Sequence, residues 1–283
     1  MRSTWKLAAA LVVVLATATT TFAGGRSEID RGGFVDIPGL RGFDGVANTT
    51  AADVVVRLGD QYSVRASGDA EILEQYEFDV RNGDLRIRRP WRPWRWFGFV
   101  REGRVRIEVT MPEIDSITLT GAGDLVVDGR IESHDLSLRT TGAGSIDVRA
   151  NVSRLDISIT GTGDIEFSGS CDDAEFTLTG PGDLIATLDA GMIRGRVTGA
   201  GDVRIEGSAD RLDLTLTGPG DFDGDAFAVR VADVTVTGAG SAFLSVEQTL
   251  EARLTGPGDV VLTGGDPAID SRTTGVGRVV AQR

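Results

Sequence analysis

The residues on which most catalytic and metal sites rely are nearly missing from this sequence. Its 283 residues include one cysteine, one histidine and one lysine. The single cysteine, Cys171, excludes an internal disulfide, and its position among small apolar residues of a repeat predicts a core residue rather than a reactive thiol. The single histidine, His134, lies in a polar stretch and is expected to be a solvated surface residue. We therefore assign no catalytic residue.

Positive charge is scarce and unevenly distributed. The formal net charge is −13, and the only lysine is Lys6. Residues 107–283 contain 13 arginines and 29 acidic residues, so this part of the chain repels nucleic acid. Residues 84–106 are the exception, with eight arginines and two acidic residues. We expect no nucleic-acid partner for the acidic part and note one basic segment beside it.

Long apolar runs are also missing, apart from one at the N-terminus. Basic residues precede the apolar run from Leu7 to Ala16, and Ala23 ends an acceptable cleavage site, so residues 1–23 are predicted to be a signal peptide. The alternative, a membrane anchor, is disfavoured because this run is too short to span a bilayer. We predict an exported chain with no transmembrane segment, in which residues 24–33 form a flexible leader.

Glycine, by contrast, is abundant and recurs in a corner of the form Thr-Gly-x-Gly, usually followed by Asp. The first glycines of the nine corners are Gly121, Gly142, Gly161, Gly180, Gly199, Gly218, Gly238, Gly256 and Gly275. Successive corners lie 18 to 21 residues apart, and most often 19. A period this regular indicates a repeat architecture.

Apolar and polar residues alternate on both sides of each corner. In one repeat Leu212 and Leu214 precede the corner, and in another Ile165 and Phe167 follow it. Strict alternation indicates strands, so each repeat is predicted to contain a strand, the corner, a second strand and a polar return. Stacked repeats predict an all-β fold, a parallel β-helix or β-solenoid of about 19 residues per coil, over residues 111–283.

The corner residues suggest local roles. The glycines are expected to have positive φ, because a sharp bend needs a conformation that glycine adopts without strain. The middle residue is proline at Pro181, Pro219 and Pro257, which places it at the bend and outside the ladder of hydrogen bonds. The threonines before the corners are predicted to form a ladder of hydroxyl–hydroxyl hydrogen bonds along the rod.

Aspartate recurs three residues after the first glycine. Stacked carboxylates about 5 Å apart repel one another unless solvent or a cation intervenes. The weak Ca²⁺ candidates are Asp164, Asp183, Asp202 and Asp221. The alternative is that each Asp suits the turn and accepts hydrogen bonds from nearby backbone N–H groups. Because the spacing differs from that of the known calcium-binding glycine-rich repeat, we favour the turn and expect neither a metal nor a cofactor.

Residues 34–110 are rich in strand-like segments but do not follow the repeat. They are predicted to form an irregular β-rich N-terminal cap, for which irregular first coils are one arrangement. Within the cap, residues 89–103 combine proline, tryptophan and arginine and are named here the Trp/Arg segment. Its two prolines forbid a regular central strand, so a loop is predicted.

The Trp/Arg segment is the candidate binding site. Its candidate residues are Arg89, Trp91, Arg92, Trp94, Arg95, Trp96 and Phe97. Indole and guanidinium groups together suit an anionic envelope surface, such as lipid headgroups or lipopolysaccharide, a glycan, or a protein partner. The alternative is that the tryptophans fold back as a hydrophobic lid over the first coil. The two roles are compatible.

Four stretches and the repeated corner resemble one known family. The stretches are Phe43-Asp-Gly-Val46, Asp53-Val-Val-Val56, Asn82-Gly-Asp-Leu-Arg-Ile87 and Met111-Pro-Glu-Ile-Asp-Ser-Ile-Thr-Leu-Thr-Gly-Ala-Gly-Asp124. Through them residues 34–283 resemble the head-GIN domain family, which is labelled as auto-transporter adhesins. The resemblance implies an exported bacterial right-handed β-helix and supplies no catalytic motif.

These observations favour an exported, non-enzymatic β-helix that serves as an adhesin-like binding scaffold. Its expected location is the periplasm, the outer-membrane surface or the outside of the cell. The alternative is a carbohydrate-active β-helix enzyme, either a polysaccharide lyase or a hydrolase. Hydrolases need one pair of carboxylates at a fixed separation, whereas the acids here form a periodic column.

Overall fold

The computed structural model describes residues 33–90 and 103–282. The signal peptide predicted at 1–23 and all but the last residue of the leader predicted at 24–33 lie outside this part of the chain. Among the described residues, no helix is long and apolar enough to cross a membrane.

The described part of the chain consists of strands and one short helix. In chain order the elements are β1 Val35–Asp36, β2 Gly45–Asn48, β3 Asp53–Leu58, β4 Ser63–Ser67, α1 Ala70–Leu73, β5 Glu77–Arg81, β6 Asp84–Arg88, β7 Arg106–Met111, β8 Ser116–Leu119, β9 Leu125–Thr140, β10 Ile146–Ile159, β11 Ile165–Leu178, β12 Leu184–Val197, β13 Val203–Leu216, β14 Phe222–Val236, β15 Ala242–Gly256, β16 Val260–Gly264, β17 Ala268–Gly275 and β18 Val279–Ala281. All of these strands belong to one coiled sheet.

Parallel pairing between successive coils confirms the predicted β-solenoid. In the ladder between β10 and β11, Ile146 lies opposite Ile165, and Ile159 lies opposite Leu178. The same parallel pairing continues from β11 through β15. Equivalent residues of neighbouring coils therefore lie above one another, at the spacing of adjacent strands in a sheet.

The segment between two corners is a single long strand rather than two strands and a polar return. In the middle of β10, Ala150 still pairs with Gly169, and Asn151 still pairs with Ser170. The prediction of a separate return was wrong because the neighbouring coils satisfy the polar backbone there. The chain can therefore bend around the core without leaving the ladder.

Inward side chains form apolar columns along the rod. Leu212, Leu214 and Leu216 have no exposed surface. Side-chain sizes are matched between coils, since the Phe176 ring extends to the position where the next coil has Gly195. A Cβ added at Gly195 would lie 2.2 Å from that ring. The core is therefore filled jointly by neighbouring coils, at the density expected of a protein interior.

Two repeats that exceed 19 residues stay in the stack through register shifts. The first shift brings Ile131 opposite Ala150. Cys171 lies between Val152 and Ala190 in neighbouring coils and is buried. Extra residues are thus accommodated locally as bulges, and the core columns continue past them.

Part of the N-terminal region also forms coils of this stack, in an order that differs from the chain order. β2 lies between β6 and β8, and β3 lies between β7 and β9, with parallel pairing throughout. The chain thus forms an inner coil with β2 and β3 before it builds the outermost described coil with β6 and β7. Antiparallel β4 covers the outer edge of β7, and antiparallel β5 covers that of β6. These strands protect an end that would otherwise expose unpaired backbone groups.

The corner glycines are required, but not for the predicted reason. Of the nine first glycines, all of them described, only Gly256 and Gly275 have positive φ. At Gly199 an added Cβ would lie 2.0 Å from the carbonyl oxygen of Gly180 in the preceding coil. The expectation of positive φ was therefore wrong for most corners. Close approach of stacked backbones, rather than a left-handed bend, selects glycine there.

Leu214→Ala tests the register of the core. It should lower the free energy of unfolding by about 2–5 kcal/mol, because it leaves a cavity in a fully buried column. The neighbouring Thr215 is half-buried and faces outward, so Thr215→Ser should change stability by less than about 0.5 kcal/mol. Urea unfolding followed by circular dichroism measures both values. Equal losses at the two positions would contradict the register.

Gly199→Ala tests the stacking of the corners. The single added methyl group has to displace the backbone of the preceding coil, so the variant should melt well below the wild type. Ala200→Pro is the matched control, because Pro181 and Pro219 occupy the same corner position in the neighbouring coils. A Gly199→Ala protein that melts like the control would show that close approach is not the constraint.

Candidate functional site

The Trp/Arg segment connects β6 to β7, at the place where other coils have a corner. In the next coil the equivalent connection is the short stretch from Thr49 to Ala52 between β2 and β3. Arg89 is the one candidate binding residue that the structure describes. The other candidates lie outside the described residues, and they are Trp91, Arg92, Trp94, Arg95, Trp96 and Phe97.

Arg89 is exposed and held by a neutral partner. Its Nε and Nη2 atoms donate hydrogen bonds of 3.1 and 2.6 Å to Oε1 of Gln75. Gln75 in turn donates from Nε2 to the carbonyl oxygen of Glu71, at 2.8 Å. The amide fixes the position of the guanidinium without neutralising its charge, so Arg89 remains suited to attracting an anion.

A shallow cavity of about 660 Å³ lies beside Arg89 along the first corners, and it is named here the corner groove. Apart from Arg89, its lining consists of hydroxyl groups, small side chains and backbone groups. The lining residues are Thr49, Thr50, Ala51, Arg89, Thr120, Gly121, Ala122, Thr141, Gly142, Ala143, Gly161 and Thr162. No carboxylate, imidazole or thiol is among these groups. The groove can therefore hold a polar ligand, but the described residues of its lining offer no general acid or base.

The groove begins at a corner that lacks glycine. Thr50 and Ala52 occupy the positions that Gly121 and Gly123 hold in the next coil. The buried side chain of Asn48 holds this corner, because its Oδ1 accepts hydrogen bonds from the Thr50 N–H and hydroxyl, at 2.9 and 2.7 Å. Its Nδ2 donates to the Ala52 carbonyl, at 2.8 Å. A side chain thus replaces the backbone contacts that stabilise the later corners.

Asn48 was missed by the sequence analysis, although a signal was present. In the alternation of β2 its position calls for an apolar residue, as at Leu119 in the next coil. A buried polar residue there, followed five positions later by Asp53, marks a corner that does not fit the Thr-Gly-x-Gly pattern. Nearby, burial raises the pKa of Tyr76, although a hydrogen bond with Thr50 opposes this shift. The phenol is therefore a neutral group at the edge of the groove.

The column of aspartates joins one coil to the next. In each contact Oδ1 of one Asp accepts a hydrogen bond from the backbone N–H of the equivalent residue in the following coil, at 2.7–3.0 Å. The donor–acceptor pairs are Ser145–Asp124, Asp183–Asp164, Asp202–Asp183, Asp221–Asp202, Ser241–Asp221 and Arg278–Asp259. These carboxylates therefore act as structural acceptors between coils.

The Ca²⁺ candidates Asp164, Asp183, Asp202 and Asp221 all take part in this ladder. Each uses one carboxylate oxygen for a backbone N–H group. In residues 33–90 and 103–282, no group of three or more acidic, histidine or cysteine side chains is arranged to hold a metal ion. The hydrogen bonds give the aspartates a role that requires no cation.

The corner threonines do not form the predicted hydroxyl ladder. All nine are exposed, and they are Thr120, Thr141, Thr160, Thr179, Thr198, Thr217, Thr237, Thr255 and Thr274. Among the hydrogen bonds of the described residues, none joins two of these hydroxyls. The prediction was wrong because backbone pairing and the aspartates already connect the coils. The threonines instead line one face of the rod with hydroxyl groups available to solvent or a ligand.

The remaining candidate chemical groups are unremarkable. His134 is exposed on β9. Burial, with a smaller contribution from Asp172 and Asp173, raises the pKa of the Cys171 thiol to about 12. A thiol with so high a pKa is protonated at neutral pH and is a poor nucleophile.

Comparisons with known proteins agree with this geometry. The family described as "Putative auto-transporter adhesin, head GIN domain" matches residues 42–187 and 173–266. No curated protein matches the sequence. The match spans the groove, the corner without glycine and most of the aspartate column.

Solved structures share the fold at low sequence identity. A putative adhesin from Parabacteroides distasonis has a TM-score of 0.66 and 16% identity, covering 89% of this chain and 98% of that chain. A putative lipid binding protein from the same species has a TM-score of 0.64 and 16% identity, covering 89% and 96%. A putative adhesin from Parabacteroides merdae has a TM-score of 0.65 and 14% identity, with the same coverage. At such identities the likeness establishes the fold alone.

Asp183 substitutions test the aspartate ladder. Asp183→Ala removes the acceptor for the Asp202 N–H and should cost about 1–2 kcal/mol of stability. Asp183→Asn keeps an oxygen acceptor and removes one like charge, so its stability should equal or slightly exceed that of the wild type. Thermal unfolding of both variants after chelator treatment provides the measurement, and an Asn variant as unstable as the Ala variant would contradict the hydrogen-bond role.

Adding Ca²⁺ to chelator-treated protein tests whether the aspartate column binds a line of cations. We expect that adding Ca²⁺ will leave the melting temperature unchanged, because the ladder is satisfied by backbone donors. A rise in melting temperature that the double variant Asp183→Asn with Asp202→Asn abolishes would instead demonstrate calcium binding.

Proposed function

Because this chain belongs to the family of putative auto-transporter adhesins with a head GIN domain, we propose that it is an exported, non-enzymatic binding scaffold of the cell envelope. The observation that carries the proposal is the place of the Trp/Arg segment. In the sequence it connects β6 to β7, the strands of the outermost described coil, and it starts at Arg89, which lines the corner groove. A segment rich in binding-type side chains thus begins beside a concave, hydroxyl-lined surface.

An anionic envelope surface is the ligand that this chemistry fits best. The rod is strongly acidic, whereas the Trp/Arg segment concentrates arginines and three of the four tryptophans of the chain. Arginine attracts phosphate, and indole rings favour the headgroup region of a membrane. Arg89 has a neutral amide partner, so its charge is available. One structural neighbour is named as a lipid binding protein, which makes anionic lipid a sensible first probe.

The binding role is favoured over a carbohydrate-active enzyme by the lining of the groove. Glycoside hydrolysis needs a pair of carboxyl groups on either side of the scissile bond. The groove offers hydroxyls, small side chains and one guanidinium. The carboxylates of the nearby column accept hydrogen bonds from backbone N–H groups of the next coil, as at Asp164 and Asp183. A glycan could be held in this groove, but no pair of carboxyl groups is found among the lining residues that the structure describes.

Two triple variants test the Trp/Arg segment. Changing Arg89, Arg92 and Arg95 to Gln should leave the melting temperature nearly unchanged and abolish binding to vesicles that contain anionic lipid or lipopolysaccharide. Changing Trp91, Trp94 and Trp96 to Ala should also weaken binding. Wild-type binding should fall as salt is raised from low to high concentration, because exposed charges are screened. Co-sedimentation with vesicles and a melting curve provide the measurements.

A matched control separates a specific site from total charge. Changing Arg130, Arg154 and Arg194 to Gln alters the net charge by the same amount on the side of the rod and should leave binding intact. The contact role is contradicted if the wild type binds no anionic surface at low salt. A Trp variant that melts much lower, together with a wild type that does not bind, would show that the rings are a hydrophobic lid. Retention on neutral glycan columns with no vesicle binding would also overturn the preference for an anionic surface.

A further inference from the structure

The two ends of the described solenoid are protected differently. At the N-terminal end the antiparallel strands β4 and β5 cover the outermost coil. At the other end β17 pairs only with β15, and β18 pairs only with β16. Within residues 33–90 and 103–282, no strand lies on the outer edge of β17. An exposed edge of eight residues is a template for pairing with another strand.

The backbone groups on this edge can be identified from the ladder. The Thr217 N–H bonds to the Val197 carbonyl, and the Thr237 N–H bonds to the Leu216 carbonyl. Residues at the threonine position therefore direct their backbone groups to the preceding coil, and inward residues such as Leu216 direct theirs to the following coil. Because backbone direction alternates along a strand, the N–H and C=O groups of Ile269, Ser271 and Thr273 point away from β15.

The side chains of β17 also differ from those of earlier coils. Ser271 and Thr273 lie opposite Ala252 and Leu254, so two of the apolar columns become polar on β17, whereas Val279 and Ala281 on β18 continue apolar columns. A polar terminal coil keeps an open solenoid end soluble. Ile269 continues its column but remains 47% exposed. The end therefore combines a hydrogen-bonding edge with limited apolar surface, which suits a reversible contact better than a permanent one.

Two charged residues on β17 have no ion-pair partner among the described residues. They are Asp270 and Arg272, on either side of Ser271. One coil earlier Arg253 bonds to Asp233, at 3.1 Å, and also to Glu251. Arg272 makes no equivalent contact with Glu251, which lies opposite Asp270. Strand β17 thus carries one acid and one base that a partner could pair.

We propose that a second copy of this chain pairs antiparallel with β17, across a two-fold axis at Ser271. In that register Ser271 faces its own copy, and Ile269 faces Thr273, with their backbone groups exchanging hydrogen bonds. Asp270 of each copy then faces Arg272 of the other, so the pairing is self-complementary in charge. The contact is isologous and closes after two copies, which gives an end-to-end dimer of rods rather than a filament.

Charge reversal tests this register. Arg272→Asp places two acids opposite each other and should raise the dimer dissociation constant at least about tenfold. Asp270→Arg should do the same with two bases. The double variant, Asp270→Arg with Arg272→Asp, restores opposite charges across the axis and should return the constant to near the wild-type value. Sedimentation equilibrium at moderate salt provides the measurement.

Backbone and crosslinking variants test the edge itself. Ser271→Pro removes an N–H that faces away from β15, so the monomer should keep its melting temperature while the dimer is lost. Ser271→Cys should form a disulfide-linked dimer when treated with oxidised glutathione, because the two copies of this residue face each other. Ser208→Cys, exposed on the side of the rod, is the matched control and should not crosslink. Cys171 is buried and should contribute no background.

Several outcomes would overturn the proposal. A wild type that stays monomeric at high micromolar concentration, and whose Ser271→Cys variant does not crosslink, would exclude the dimer. Strong hydrogen-exchange protection of β17 in that monomer would show that another part of the same chain covers the edge. A dimer that survives both single charge reversals would place the interface elsewhere.

Discussion

The structure depends on how closely the backbones of successive coils approach at the corners. A Cβ at Gly199 would lie 2.0 Å from the Gly180 carbonyl oxygen, and one at Gly201 would lie 2.0 Å from the Gly182 carbonyl oxygen. Two positions in every Thr-Gly-x-Gly corner must therefore lack a side chain, whatever their φ. This constraint fixes the repeated Gly-x-Gly. It also sets the register of the apolar columns, since strands that leave a stacked corner begin at the same level in every coil.

The same constraint explains what the corner face can offer to a ligand. With glycine at two positions, only the threonine before the corner and the middle residue project outward. The corner face therefore has few protruding side chains and is rich in hydroxyl groups. The corner groove follows coils whose middle residue is small, such as Ala122 and Ala143, and the next coil beyond its lining has Pro181. At its other end Thr50 and Ala52 break the glycine rule. The buried Asn48 side chain holds this corner instead, through hydrogen bonds with Thr50 and Ala52.

Local patterns predicted much of the fold, and long-range order accounts for what they missed. The burial of Leu214 follows from period-2 alternation, because the pattern of apolar and polar side chains along one strand is enough to predict which face is buried. The coil of β2 and β3 lies between the coil of β6 and β7 and the coil of β8 and β9. This order depends on which segments meet in space, and no local pattern encodes it. The role of glycine was misread for a similar reason, since the atom that excludes a Cβ at Gly199 lies 19 residues away, on Gly180. Only Arg89 of the candidate binding residues falls in the described part of the chain, so the remainder of that site stays a prediction.

The sides and the ends of a solenoid have different physical requirements, because only the ends have strands with no neighbouring coil. Along the sides, each coil supplies hydrogen-bond partners for the backbone of its neighbours. Even charged side chains take part, as when the Asp202 carboxylate accepts a hydrogen bond from the Asp221 backbone N–H. Specific features therefore concentrate where the repeat stops. At one end the repeat gives way to antiparallel strands, the buried Asn48 corner and a cationic, tryptophan-rich connection. At the other end two columns turn polar, at Ser271 and Thr273, and no strand of the described residues pairs with the outer edge of β17. The two proposals therefore assign an anionic ligand to one end of the rod and a second copy to the other, with the stacked coils between them keeping the two surfaces apart.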